Sequence, residues 1–524
     1  MNYFARAKEL APEMTVIRRQ IHQNAETGFD LPNTVSLVMS KLREYGYEPK
    51  QICEGGVVAT VGPAGKTVLL RADMDALPMQ EESGLPFACI NALNAHTCGH
   101  DLHTAALLGA AKMLKESESS LKGTVKLVFQ PAEEILRGAE RMVQSGVLEN
   151  PNVDIAFAAH VTPRYATGQI ALRSGVAMAA CYGFRIHIEG FSAHGCYPEQ
   201  SISPINIAAH IYLALQELIA RETDPTKTAV LTVGSLHSGN MPNTIPGEAV
   251  MEGTLRTFDQ PLIDFLIERM NNVVEKTADV FRGKAHIEVL WNVPVVYNDP
   301  ALVDDVCRYY SDLFRIDAKE DVLIAGSEDF AFISQKVPAV DLYIGATQED
   351  HLSSYYPAHH PKIVFDEGVL PYSAALNAEV AVAGGKIIEI GGYNMPVHPL
   401  TKLIQEDMVP SLGVTEPGAI ALAAAKARTY IDGEIRSICV RMNSGIYKNA
   451  FTCGIPGTDR FGAAYAAALG VLIGDPSLGL EVLAGVTPEA ERQAEQMIKD
   501  GQVHLEMTGI DPDIFIEVHI STEQ

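Results

Sequence analysis

Within the eight residues "HTCGHDLH", positions 96–103, stand His96, His100 and His103, the thiol of Cys98 and the carboxylic acid of Asp101. Side chains of these types bind transition metals; a thiolate favours a softer ion such as zinc, while carboxylates also suit manganese. Upstream, "RADMDALP" carries Asp73 and Asp75; downstream, "QPAEE" carries Glu133 and Glu134, and "AAHVTP" carries His160. Adjacent glutamates fit hydrolysis, because one can hold a metal ion while the other takes a proton from the attacking water. Each residue alone has an ordinary structural use. A lone His or Cys more often packs, an Asp at a strand end caps a helix, and two glutamates open a solvated helix. Their convergence is what points to a metal centre. A second cluster, "YYPAHHPKIVFDE" with His359 and His360, lies far downstream; an α/β domain that resumes after an insert can return it to the same edge, which spacing alone does not show.

The elements that must position these groups follow from the apolar pattern. β-Branched and apolar runs at Thr67 to Arg71, Gly123 to Phe129 and Val153 to Ala159 predict strands, with a helix over Thr104 to Glu116 between the first two. This is βαβ grammar: an α/β fold with a mostly parallel central sheet. All three strands run into the polar residues named above at their C-terminal ends, the edge where open α/β sheets bind ligands. From Cys181 to Asn292 the texture changes to strands at Tyr182 to Glu189, Ala229 to Leu236 and Glu248 to Phe258, around helices near Ile205 to Glu222 and Pro261 to Phe281. A small α+β insert therefore interrupts the first domain, which resumes and runs to about Val382. Ala383 to Gly385 then opens a third segment. The expected organisation is 1–180 plus 295–384, an insert at 181–294, and an α/β or α+β segment at 386–524.

The chain has 524 residues, 47% hydrophobic and 20% charged, a globular composition. Its formal charge is −25, from 40 Lys and Arg against 65 Asp and Glu. Such a surface repels nucleic acid and anionic lipid, so neither is expected as a partner. The N-terminus reads as an amphipathic helix and no apolar run is long enough to span a bilayer. Eight cysteines without paired spacing do not form a disulfide framework, so a reducing cytoplasm is the expected compartment.

"IHQNAETGF" (21–29), "LLRADMDALPM" (69–79), "CGHDLHTAALLGAAKML" (98–114), "GTVKLVFQPAEE" (123–134), "GFSAHGCYP" (190–198), "GNMPNTIP" (239–246), "GTLRTF" (253–258) and "GSEDF" (326–330) together resemble the aminoacylase and carboxypeptidase superfamily of dinuclear metallohydrolases. Within it they are similar to the hippurate hydrolase and indole-acetyl-amino-acid hydrolase branch. The resemblance covers roughly residues 1–384. It implies metal ligands at Cys98, His100, Glu134, His160 and His359, two divalent ions (zinc or manganese), and Glu133 as general base. Most of the wider superfamily has His-x-Asp where this chain has Asp73 and Asp75, and this branch uses its Cys-x-His pair instead. The insert resembles a lid and dimerisation domain whose His194, in "SAHG", reaches the partner subunit's site to polarise the scissile carbonyl. Asn243 and Arg256 match positions that hold the substrate's carboxylate. The implied enzyme is a homodimer or larger that hydrolyses N-acyl amino acids. A dipeptidase or carboxypeptidase would use the same site, and a binding or assembly protein would keep it only as a vestige.

In the third segment, "LGVTEPGAIALAAAKA" (412–427) and "SGIYKNAFTCGIPGTDRFGAAYAAALGVL" (444–472) resemble the start of the cysteine desulfidase family, related to the α-subunit of iron–sulfur serine dehydratases. That family's opening motif has a cysteine where this chain has Val414, and its cluster ligands lie beyond Gln524, so no functional iron–sulfur cluster is expected; Cys453 reads as a structural thiol. Thr415 is the expected N-cap and Pro417 a first-turn residue of an Ala-rich core helix.

Overall fold

The structure is a computed structural model describing residues 1–91, 93–314, 319–320, 323–390, 415–448, 451–455, 458–508 and 515–523; Val414 lies outside them. The chain forms two compact units, Met1–Tyr393 and Asn394–Gln524. In the first, eight strands make one sheet whose order, by first residue, is Lys50, Gly56, Thr124, Thr67, Ile155, Ala339, Ile170 and Lys319. Its centre is parallel: Thr67–Asp73 pairs in parallel with Thr124–Gln130 and Ile155–Ala166, and Ile155–Ala166 with Ala339–Thr347. The run at 67–73 is buried throughout because both faces are covered. Val68, Leu70 and Ala72 pack under the helices Tyr3–Gln23, His100–Glu116 and Leu370–Ile390. Leu69 packs the other way, against Ala139, Met142, Phe330 and Ile333.

The helix after the first central strand starts at His100, four residues before the expected Thr104. Gly99 sits in the left-handed region (φ 93°), and a Cβ there would run into Val161, so glycine alone turns the chain here. The apolar pattern does not reach this polar first turn, whose partners are distant in sequence. Thr104 donates to the Asp73 carbonyl at 2.8 Å and His103 pairs with the Asp73 carboxylate, so these two polar side chains of the buried turn are partnered.

The insert forms a separate four-stranded antiparallel sheet, ordered by first residue Ala229, Glu248, Ala180 and Lys284. Helices Pro204–Glu217 and Gln260–Val280 cover one face, burying Ile207, Ile211, Leu215, Leu266 and Met270 against Phe184, Ile186 and Met251. Ser203 and Asp259 cap them, accepting from the amides of Asn206 and Leu262.

Helix Leu370–Ile390 runs on through Ala383 to Gly385, where the sequence pattern suggested a new start. Ala374, Ala375, Leu376, Ala378 and Ala381 anchor it in the core. A helix so anchored tolerates two glycines at about 1 kcal/mol each. The second unit has a three-stranded sheet centred on Ile435–Met442, flanked by Val503–Met507 and Ile516–Thr522. Its helix Thr415–Arg428 includes Thr415 as the first residue instead of the cap. Ala421, Ala424 and Ala425 of that helix pack on Ala466, Ala467 and Leu469 of Ala463–Ile473. Among the described residues no helix is long and apolar enough to cross a membrane.

Candidate active site

Strand ends from three parts of the sequence converge at the C-terminal edge of the large sheet. Cys98 Sγ lies 3.5 Å from His160 Nε2. His100 Nε2 lies 3.8 Å from Glu134 Oε1 and 3.9 Å from Glu133 Oε2. The second oxygen of Glu134 faces His359 Nε2 at 3.4 Å. Two of the donor sets that result are Cys98 with His100 and His160, and Cys98 with Glu134 and His359. They share the thiol. His359 holds a backbone φ of 67°, rare for a residue with a Cβ, and its amide donates to the Thr97 carbonyl. That twist turns His359 toward Glu134. His360 instead stacks on Tyr356 with centroids 4.4 Å apart, its Nδ1 accepting from the Lys362 amide.

The supporting bonds fix each ring. His100 Nδ1–H donates to the Asp75 carbonyl at 2.8 Å, which leaves Nε2 as the lone-pair side. The Asp75 carboxylate accepts the amides of Glu133 and Glu134 at 2.9 and 3.2 Å. His160 Nδ1–H donates to the Val161 carbonyl at 2.7 Å, again freeing Nε2. His103 is used up: Nδ1–H donates to Asp73 at 2.6 Å and Nε2 accepts from the Val161 amide at 2.8 Å. His96 is buried behind this turn near His22, its pKa brought down to about 3 by burial. Beneath the glutamates, Arg71 binds Asp73 at 2.7 Å, Glu328 at 2.7 Å and Asp329 at 3.1 Å, and donates to Gln130 at 2.9 Å. Arg71, Asp75, His103 and Glu328 were not singled out from the sequence for these roles. The signals were "RADMD" and "GSEDF", but no spacing says that they meet.

Burial, then Glu328 and Asp329, push the Glu133 carboxyl well above its ordinary range. Glu134 is pushed up to about 7, mainly by burial and further by Asp75 and Asp73. Burial and Glu134 also raise the Cys98 thiol. So many anionic donors in one buried place are costly unless positive charge compensates them. His100 Nε2 and Glu134 Oε1 are buried with no hydrogen-bond partner. Lone pairs left free and turned inward, on a thiol, imidazoles and a carboxylate, fit divalent metal ions.

A cavity of about 370 Å³ opens over this cluster, lined by Cys98, Glu133, Glu134, His160, His359 and, from the insert, Arg256. Arg256 is held by the Ala325 carbonyl at 3.2 Å and Ser327 Oγ at 3.1 Å. His194 and Asn243 are not among the lining residues. They meet each other at a short antiparallel bridge, where Thr244 pairs with His194 and the Gly195 amide donates to the Asn243 carbonyl at 2.8 Å. Both are exposed.

Residues 69–382 match the family described as peptidase family M20/M25/M40. The chain is 35% identical to thermostable carboxypeptidase 2 of Saccharolobus solfataricus over 72% of its own length and 96% of the relative's. It is 33% identical to hippurate hydrolase of Campylobacter jejuni, covering 73% of itself and 99% of that protein. The crystal structure of a dinuclear metal-binding M20 peptidase from Bacillus subtilis superposes with a TM-score of 0.61 at 31% identity, over 72% of this chain and 99% of that one.

Proposed function

The chain belongs to peptidase family M20/M25/M40 and is a metal-dependent hydrolase of amides, and we propose that the amide it cleaves joins an acyl group to an amino acid. The observation that carries this reading is Arg256, a guanidinium from the insert on the wall of the cavity that holds Glu133 and Glu134. A fixed guanidinium fork suits a carboxylate, and an N-acyl amino acid offers one close to its scissile amide.

In this reading Cys98, His100, Glu134, His160 and His359 hold two divalent ions, zinc or manganese. When bound, such ions supply Lewis acidity and lower the pKa of water. Glu133 takes a proton from the attacking water as its oxygen bonds to the carbonyl carbon. Glu133 lines the cavity beside Glu134, which suits it to that task. Glu133 then gives the proton to the amide nitrogen as the C–N bond breaks, releasing a carboxylic acid and an amino acid. Arg256 and Asn243 hold the substrate's carboxylate, and His194 donates to the developing oxyanion from a neighbouring subunit. The exposed place of His194, apart from the cavity of its own chain, favours that action across a homodimer.

A dipeptidase or carboxypeptidase would use the same groups and differ in what fills the acyl side. The test is a hydrolysis screen of N-acetyl, N-benzoyl and other N-acyl amino acids beside dipeptides, with added manganese or zinc, following free amine. Turnover of N-acyl amino acids that falls in Arg256→Ala is the expected result. Turnover confined to substrates with a free amino terminus would replace this reading with the peptidase one.

A further inference from the structure

We propose that the site selects N-acyl amino acids carrying a second anionic group, in the acyl chain or in the amino-acid side chain, and that Arg164 recognises it. The proposal rests on the reading of the site as an N-acyl amino acid hydrolase. His160, Thr162 and Arg164 of the strand Ile155–Ala166 all line the cavity, the strand losing its regular register between Thr162 and Ala166. His160 sits among the proposed metal ligands, beside Tyr343 of the neighbouring strand in the sheet register. Arg164, four residues on, lies about 13 Å away along the strand at ~3.3 Å per residue. A long arginine side chain spans part of that distance, so its charge meets a substrate group a few bonds from the scissile amide.

Arg164, like Arg256 on the same cavity, has no ion-pair partner among the described residues, whereas Arg71, Arg185 and Arg269 each have one. Carboxylates outnumber cationic side chains in this chain, with a formal charge of −25, and that excess works against a dianionic substrate at long range. A local cation is then needed for such a substrate to seat. Arg256 is already tied to Ala325 and Ser327 and assigned to the α-carboxylate, so it does not serve a second anion placed elsewhere. Leu136, Met178 and Ile324 give the same cavity an apolar stretch. A methylene stem can lie on that stretch and end in a charged group.

The experiment compares kcat/KM of the full-length, metal-loaded protein for matched substrates: N-acetyl-alanine, N-acetyl-glutamate (second charge in the side chain) and N-succinyl-alanine (second charge in the acyl chain). The native chain should prefer one of the dianions, and which one shows the direction in which Arg164 reads. In Arg164→Gln that preference should fall by about ten- to a hundredfold, chiefly through KM, with N-acetyl-alanine little changed, as expected for loss of a charge-assisted contact. Arg164→Lys should restore part of it. Efficient cleavage of N-acetyl-alanine without any preference for a dianion overturns the role of Arg164 and leaves the hydrolase reading intact. A preference that survives in Arg164→Gln does the same. No cleavage of any of the three substrates overturns both.

Discussion

Asp75 holds His100 with its backbone and the two glutamates with its side chain. Its carbonyl accepts the His100 Nδ1–H at 2.8 Å, and its carboxylate accepts the Glu133 and Glu134 amides. One residue thus fixes a ring, the proposed base and the proposed carboxylate ligand relative to one another. Asp75→Ala removes the two amide contacts while the carbonyl remains. Losses of about 10- to 100-fold in metal affinity or activity are usual when such supporting partners are removed. We expect kcat to fall in that range with the fold retained by circular dichroism. An Asp75→Ala protein with native kcat would show that the glutamates are positioned by other contacts.

Glu133 and Cys98 should respond differently to removal. Glu133→Gln keeps the proposed ligand set and removes the proton carrier, so bound metal should persist while kcat falls by ~10² or more. Cys98→Ala or His100→Ala takes away a ligand, and bound metal should fall together with activity. Metal analysis beside the assay separates the cases. Stoichiometric metal in all three variants would mean that the ligands were wrongly assigned.

How much of this was legible in the sequence depends on how local the cause is. The strand Thr67–Asp73 was visible because its apolar run and its polar end are contiguous. The start of the helix at His100 was not, since the left-handed Gly99 and the bonds to Asp73 are tertiary facts. His359 and His360 look alike in the sequence, and a single positive φ separates their directions. Asp75 read as a strand-end residue because the amides it accepts lie far along the chain. Arg256 needed a resemblance to be noticed at all, because a strand arginine ordinarily faces solvent.

His194 and Asn243 meet at one exposed bridge while Arg256 lines the cavity. If His194 acts on the neighbouring subunit, mixing His194→Ala with Glu133→Gln protein should create heterodimers with one working site. Each parent alone should be nearly inactive. After subunit exchange, activity approaching a quarter of the native value per subunit is expected, since about half of the dimers in an equal random mixture are mixed and each has one of two sites intact. No recovery, with exchange demonstrated by differently tagged chains, would place His194 in the site of its own chain.

The appended segment should be dispensable for the chemistry. Every residue assigned to ligation, proton transfer or substrate binding lies at or before His359, and the unit that contains them ends with the helix Leu370–Ile390. A cut near residue 382 would fall inside that helix, next to the buried Ala381 and Ala383, so the chain is better ended at 393, the bound of the first unit. We expect such a shortened protein to bind metal and to keep the turnover per folded molecule of the full chain. Solubility is a separate readout, because it follows any apolar surface that removal uncovers. A folded, metal-loaded 1–393 chain without activity would contradict the expectation, and would mean that the segment shapes or gates the active site.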